Sequence, residues 1–164
     1  MTRRKILSLT LLLIFLLTFP PISLAWSGKA VGIADGDTLT VLRDKEQVRI
    51  GLYGIATLER GQAFSKKAKQ FASEMLFGEA VEVVPITVDH DGRTVGLVYV
   101  DRACLNGELI RLAPAWFYHV YCNLPICAQW KQFESEAKKG KGVLWSDPGA
   151  IPPWEYRKRK RREY

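Results

Sequence analysis

Soft metal ligands are scarce in this chain of 164 residues, which has two histidines (His90 and His119) and three cysteines (Cys104, Cys122 and Cys127). Neither histidine stands at ligand spacing from a cysteine, which argues against a zinc site. No apolar run reaches the ~20 residues of a membrane-spanning helix. The longest extends from Ile6 to Phe19, and no cysteine follows it closely enough for a lipoprotein anchor. Internal repeats are also missing. Excess charge is missing from the body of the chain. Of 24 basic residues, three precede Ile6 and six form Arg157 to Arg162; the other fifteen face sixteen acidic residues between 26 and 156, a net of −1. The whole-chain charge of +7 therefore says little about nucleic-acid affinity in the domain itself.

What is present begins with a leader. Arg3-Arg4-Lys5, the apolar run, Pro20-Pro21 and Ser23-Leu24-Ala25 compose a secretory signal peptide over residues 1–25,. Cleavage after Ala25 leaves about 139 residues, one domain's worth,. Export to the periplasm or the extracellular space places the chain where disulfides persist. Cys122 and Cys127, flanking Asn-Leu-Pro-Ile, are expected to close a small loop. Cys104 is left over, as a buried small hydrophobe.

Periodicity then orders the elements. Lys29 to Ala34, Thr38 to Arg43 and Gln47 to Tyr53 are β-branched segments separated by turn residues,. Phe64, Ala68, Phe71, Ala72, Met75 and Leu76 form a helical stripe ended by Gly78,. Two more strands, Ala80 to Val88 and Thr94 to Val100, flank Asp91-Gly92, a strong hairpin signal,. Leu105 to Leu112 and Gln129 to Lys138 read as helices, with an aromatic connection between them. The expectation is an α+β, mainly β domain over 26–156: a closed five-stranded β-barrel with three packed α-helices. Residues 157–164 are expected as a disordered basic tail, short of apolar surface to bury.

The chemistry-bearing residues sit at strand ends: Asp35-Gly36-Asp37-Thr38, Leu52-Tyr53-Gly54-Ile55, Glu59-Arg60-Gly61-Gln62 and Asp91-Gly92-Arg93. Leu105-Asn106, Ala115-Trp116, Tyr121, Gly142-Val143-Leu144-Trp145 and Pro153-Trp154-Glu155-Tyr156-Arg157 follow in order. In order and spacing these motifs resemble the thermonuclease, or staphylococcal-nuclease-like, family from about Ser27 to Tyr156. The resemblance implies an OB-fold barrel that hydrolyses DNA and RNA phosphodiesters with one calcium ion. It places Asp37 as a calcium carboxylate, Thr57 as a backbone-carbonyl ligand, Glu59 as the residue that orients or deprotonates water, and Arg93 on the scissile phosphate. Tyr121 and His119 fall near the nucleotide. Hard oxygen ligands suit calcium, and arginines stabilise charge on the phosphoryl oxygens.

Three positions depart from the family pattern. Gly51 stands where the family has a phosphate arginine, Ala56 where it has a second calcium carboxylate, and Leu58 where it has a turn proline. Losing a charged ligand weakens calcium binding. A lost transition-state contact costs about 10²–10³ in rate. A partial rebuilding is expected from Arg49, two residues before Gly51 and so on the same strand face, and from Asp35 moving toward the vacant carboxylate position. On that expectation Arg49→Ala abolishes activity.

Three functions follow: a nuclease of weak or altered activity; a catalytically silent OB module that binds nucleic acid or another polyanion; or a scaffold for polysaccharide or a protein partner. DNA or RNA is the expected partner, with an anionic membrane surface or other polyanion open to the basic tail, and the chain is expected as a monomer.

Overall fold

The computed structural model describes residues 25–112 and 114–163. The expected signal peptide therefore lies outside the described residues except for Ala25. The barrel starts as an antiparallel meander of β1 (Trp26–Asp35), β2 (Thr38–Arg43) and β3 (Glu46–Leu52). After helix α1 (Ser65–Leu76), β5 (Ala80–Val88) pairs with β1, and β6 (Thr94–Val100) pairs with β5. β6 then runs parallel to β3, matching Ile50 with Thr94 and Leu52 with Gly96. That parallel seam closes five strands into the expected OB-type barrel.

Side-chain alternation explains the interior. Leu39 and Val41 on β2, Val81 and Val83 on β5, and Ile50 and Val98 across the seam are all buried; successive strand residues point to opposite faces. A second apolar cluster lies outside the barrel: Leu58, Trp116, Ala137 and Leu144, with Phe64, Trp145 and Trp154 against them. It is organised by a small ladder that sequence alternation does not reveal, β4 (Ile55–Thr57) with β8 (Ala115–Phe117). All six of these residues are buried, so no solvent-facing position marks a period of two. A two-residue strand β7 (Ala103–Cys104) leads into α2 (Leu105–Arg111), and α3 (Cys127–Lys139) packs on α2.

The described residues hold four α-helices rather than three. The fourth, α4 (Pro153–Lys160), takes in four of the residues expected as a disordered tail. Its first turn supplies the anchorage that the basic run lacks: Pro153 is buried, and Trp154 stacks on Tyr118 with ring centroids 4.6 Å apart. Proline suits the first helical position, and the cations that follow complement the negative C-terminal end of the helix dipole.

Asn106 locks the seam. It is fully buried; its side-chain oxygen accepts from the Val98 N–H at 3.0 Å, and its amide donates to the carbonyls of Tyr53 (2.9 Å) and Gly96 (3.1 Å). Cys122 and Cys127 are joined by a disulfide, and Tyr53 fixes their loop: its hydroxyl donates to the Asn123 side chain (2.6 Å) and accepts from the Asn123 N–H (2.9 Å). Cys104 is half-buried and free. Asn106→Leu takes the side-chain partner from the buried Val98 N–H and Tyr53 carbonyl, while the Gly96 carbonyl keeps the Tyr53 N–H, so urea unfolding should show a loss of about 2 kcal/mol or more,; a loss below about 1 kcal/mol would refute this role.

Candidate active site

A two-residue turn between β1 and β2 presents the acidic pair. The Thr57 N–H donates to Asp37 Oδ2 at 2.7 Å, and the Thr38 hydroxyl donates to Oδ1 at 3.3 Å. The turn thereby sits tight against β4. A Cβ at Gly36 would meet Thr57 Cγ2 at 2.7 Å, so only glycine fits there. Asp37 is half-buried with Asp35 beside it. Burial first, then the Asp35 charge, push its carboxyl up to about 7, against the lowering effect of the Thr57 hydrogen bond,.

The β5–β6 hairpin brings Arg93 to the same place. Its Nε donates to Asp89 Oδ2 at 2.9 Å and its Nη1 to Thr38 Oγ1 at 2.6 Å. The Arg93 backbone N–H, then its guanidinium, hold Asp89 below the usual carboxylate range. Thr38, buried and shared, thus connects Arg93 to Asp37. The guanidinium lies over Gly51: a Cβ there would stand 2.9 Å from Arg93 Cζ. The space expected for Arg49 is therefore filled by Arg93, which arrives from a hairpin some forty residues later. Arg49 itself is exposed on β3 opposite Thr40, outside the cavity wall.

Glu59 follows β4 and is held by its neighbours. Its N–H donates to Gln62 Oε1 at 2.8 Å, and its carboxylate is ion-paired with Arg157 of α4. Together these residues line one cavity of about 660 Å³, whose wall includes Asp35, Asp37, Gly51, Ala56, Glu59, His90, Arg93, Tyr118, Tyr121 and Arg157. Thr57 faces an adjoining hollow of about 320 Å³ with Asp35, Asp37 and Glu59.

Of the residues expected from sequence, Asp35, Asp37, Glu59, Arg93 and Tyr121 therefore converge, with Thr57 next to them. Arg49 and His119 line neither space. Tyr118 takes the place expected for His119, because His119–Tyr121 is a turn of 3₁₀ helix that puts Tyr118 edge-on to Tyr121 at 4.7 Å. Arg157, quoted in the sequence only as the end of the Pro153–Arg157 motif, also lines the cavity, and the Pro-Trp pair before it was the available signal of an ordered segment.

Chemically, Asp35 and Asp37 offer two carboxylates near Thr57, an all-oxygen set suited to a hard divalent cation. The upward displacement of Asp37 comes from burial first and from the Asp35 charge second. Ala56 adds no ligand; it is buried in the β4 ladder opposite Trp116. Among the described residues no three His, Cys, Asp or Glu side chains gather as a metal cluster.

The profile of the family described as Staphylococcal nuclease homologue matches residues 49–147. A protein named micrococcal nuclease from Shigella flexneri is 36% identical over 146 residues, covering 82% of this chain and 83% of its own. An uncharacterized endonuclease from Haemophilus influenzae is 33% identical over 163 residues, covering 98% and 89%. Another from Escherichia coli O157:H7 is 31% identical over 150 residues, covering 91% and 96%. By profile, by similarity over nearly its whole length and by the barrel just described, the chain belongs to the staphylococcal nuclease homologue family.

Proposed function

We propose that this protein is an exported nuclease that hydrolyses phosphodiesters of DNA and RNA with a divalent cation, calcium by family resemblance, at an activity weakened or altered by Gly51 and Ala56. The observation that carries this reading is the convergence of Arg93, Glu59 and the Asp35–Asp37 pair on one cavity. The names of the relatives support the reaction class. The leader and the Cys122–Cys127 disulfide support export,.

Each side chain has a part that its contacts explain. Asp35 and Asp37, with Thr57, would hold the cation, which supplies Lewis-acid polarisation of a phosphoryl oxygen when bound. Arg93, braced by Asp89 and Thr38, meets the scissile phosphate and stabilises charge on its equatorial oxygens. Glu59 accepts a proton from the attacking water as the P–O bond to the leaving alcohol breaks. Tyr118 and Tyr121 offer rings to bases, a sequence-tolerant contact suited to single strands. One observation favours the silent, polyanion-binding alternative: the second-carboxylate position, Ala56, is an apolar wall.

The discriminating assay is digestion of single-stranded DNA and RNA with calcium or chelator. Calcium-dependent cleavage should fall about 10²-fold or more in Glu59→Gln and Arg93→Ala, whereas Arg49→Ala should change it less than about threefold. Wild-type turnover no greater than that of Glu59→Gln would instead favour the silent module.

Asp37 also makes stability depend on pH. Its folded-state carboxyl lies near 7 against an ordinary 3.8, so the folded protein binds the extra proton between those values. Stability therefore declines as pH rises from about 4 to 7. Asp37→Asn removes that penalty and should stabilise the protein at pH 8 by on the order of 2 kcal/mol, with the gain vanishing below about pH 4. Millimolar calcium should raise the melting temperature of the wild type at pH 8 and leave the variant unmoved. A variant less stable than wild type at pH 8 contradicts this account.

A further inference from the structure

Helical geometry sorts the cations of the C-terminal run. Residues three and four apart share a helix face, so Arg157, Lys160 and Arg161 lie with Pro153 on one side and Lys158, Arg159 and Arg162 on the other. Arg161 is still in helical register, its N–H donating to the Arg157 carbonyl at 3.1 Å. With Arg60, the first three line a groove of about 660 Å³. That groove shares Glu59, His90 and Arg157 with the functional cavity, so the two form one continuous trough. Glu59 is the groove's single acidic lining residue, against four arginines and lysines.

The helix is also fixed in place. Trp154 stacks on Tyr118, Gln62 donates to the Ile151 carbonyl at 3.1 Å, and the Tyr156 hydroxyl lies so close to Gly61 that a Cβ there would stand 2.9 Å from it. The cations are thus held at set positions beside the cavity.

We propose that this face of α4 is a phosphate track for single-stranded polynucleotide, gripping phosphates that flank the one at Arg93. The inference rests on the nucleic-acid reading of the cavity. Three features favour a strand over a membrane surface. The track cations line a trough, the trough shares lining residues with the site, and Tyr118, Tyr121 and Tyr156 supply aromatic surface along it,. A flat anionic membrane would instead meet the outer set, Lys158, Arg159 and Arg162.

Two double variants of equal charge change separate the faces: Lys160→Gln with Arg161→Gln, and Lys158→Gln with Arg159→Gln. All four side chains are exposed, so folding is not at stake. Fluorescein-labelled oligothymidylates of about 15 and about 3 nucleotides, lengths chosen around the footprint of one OB fold, are titrated by anisotropy in chelator across a sodium chloride series. The inner pair should weaken binding of the longer strand roughly fivefold or more and lower the log–log salt slope by about 1.4, two phosphate contacts' worth for a single strand. The advantage of the longer strand over the shorter should shrink with it. The outer pair should change affinity less than about twofold. Equal losses from both faces, or none from the inner, overturn the track, as does loss of phosphatidylglycerol-vesicle binding in the outer pair with oligothymidylate binding intact in both. Parallel hydrolysis with calcium keeps the two readings apart. Face-selective binding without turnover sustains the track and removes the catalytic reading, whereas turnover without face selectivity does the reverse.

Discussion

One hydrogen bond organises the functional end of the barrel: the Thr57 N–H donating to the Asp37 carboxylate. It ties the β1–β2 turn to β4, which leads into Glu59 and pairs with β8, the strand that leads to the tyrosines. The bond is made to a group that burial and Asp35 drive toward neutrality. A carboxylate kept in such surroundings opposes folding by the desolvation of its charge, and the surrounding barrel has to offset that. Strain of this electrostatic kind is what a cation relieves. The same bond thus links the fold of the turn to the chemistry of the cavity.

The guanidinium inventory follows a second constraint, that of space. Gly51 has no side chain, and the Arg93 guanidinium lies over it, braced by the Asp89 carboxylate and by a threonine hydroxyl. A bidentate anion approaching Arg93 meets a fork already oriented on two sides, which lowers the ordering cost of contact. Arg157 enters from the opposite wall, coupled to Glu59. The cavity therefore holds two arginines, Arg93 and Arg157. One comes from a hairpin and one from the C-terminal helix.

Much of this was legible in the sequence. The five barrel strands show as β-branched alternation, and α1 as a stripe of apolar residues ended by Gly78. Asp35, Asp37, Glu59 and Arg93 stand in motifs whose order survives three departures. What was not legible shares a physical character. β4 and β8 are buried on every side chain and so carry no alternating pattern. Tyr118 rather than His119 lines the cavity because the chain turns into 3₁₀ helix at His119. Arg49 shares the face of Gly51, but the packing of a distant hairpin decided who occupies the space. The helix α4 was hidden by its charge: six consecutive cations suggest solvation, whereas the stack of Trp154 on Tyr118, the burial of Pro153 and the Arg157–Glu59 ion pair hold the segment down.

That stack has an optical consequence. Trp154 also lies 6.0 Å from Trp116, which packs edge-on against Trp145 at 4.2 Å, so three indoles and a phenol share one asymmetric environment. Neither Trp116 Nε1 nor Trp145 Nε1 has a hydrogen-bond partner among the described residues, and the Lys138 ammonium stands 4.6 Å from the Trp145 ring centre. Coupled transition dipoles so arranged give strong near-ultraviolet ellipticity, and a nearby ammonium alters indole emission. The protein thus carries its own chromophore for the seating of the C-terminal helix, readable without a label.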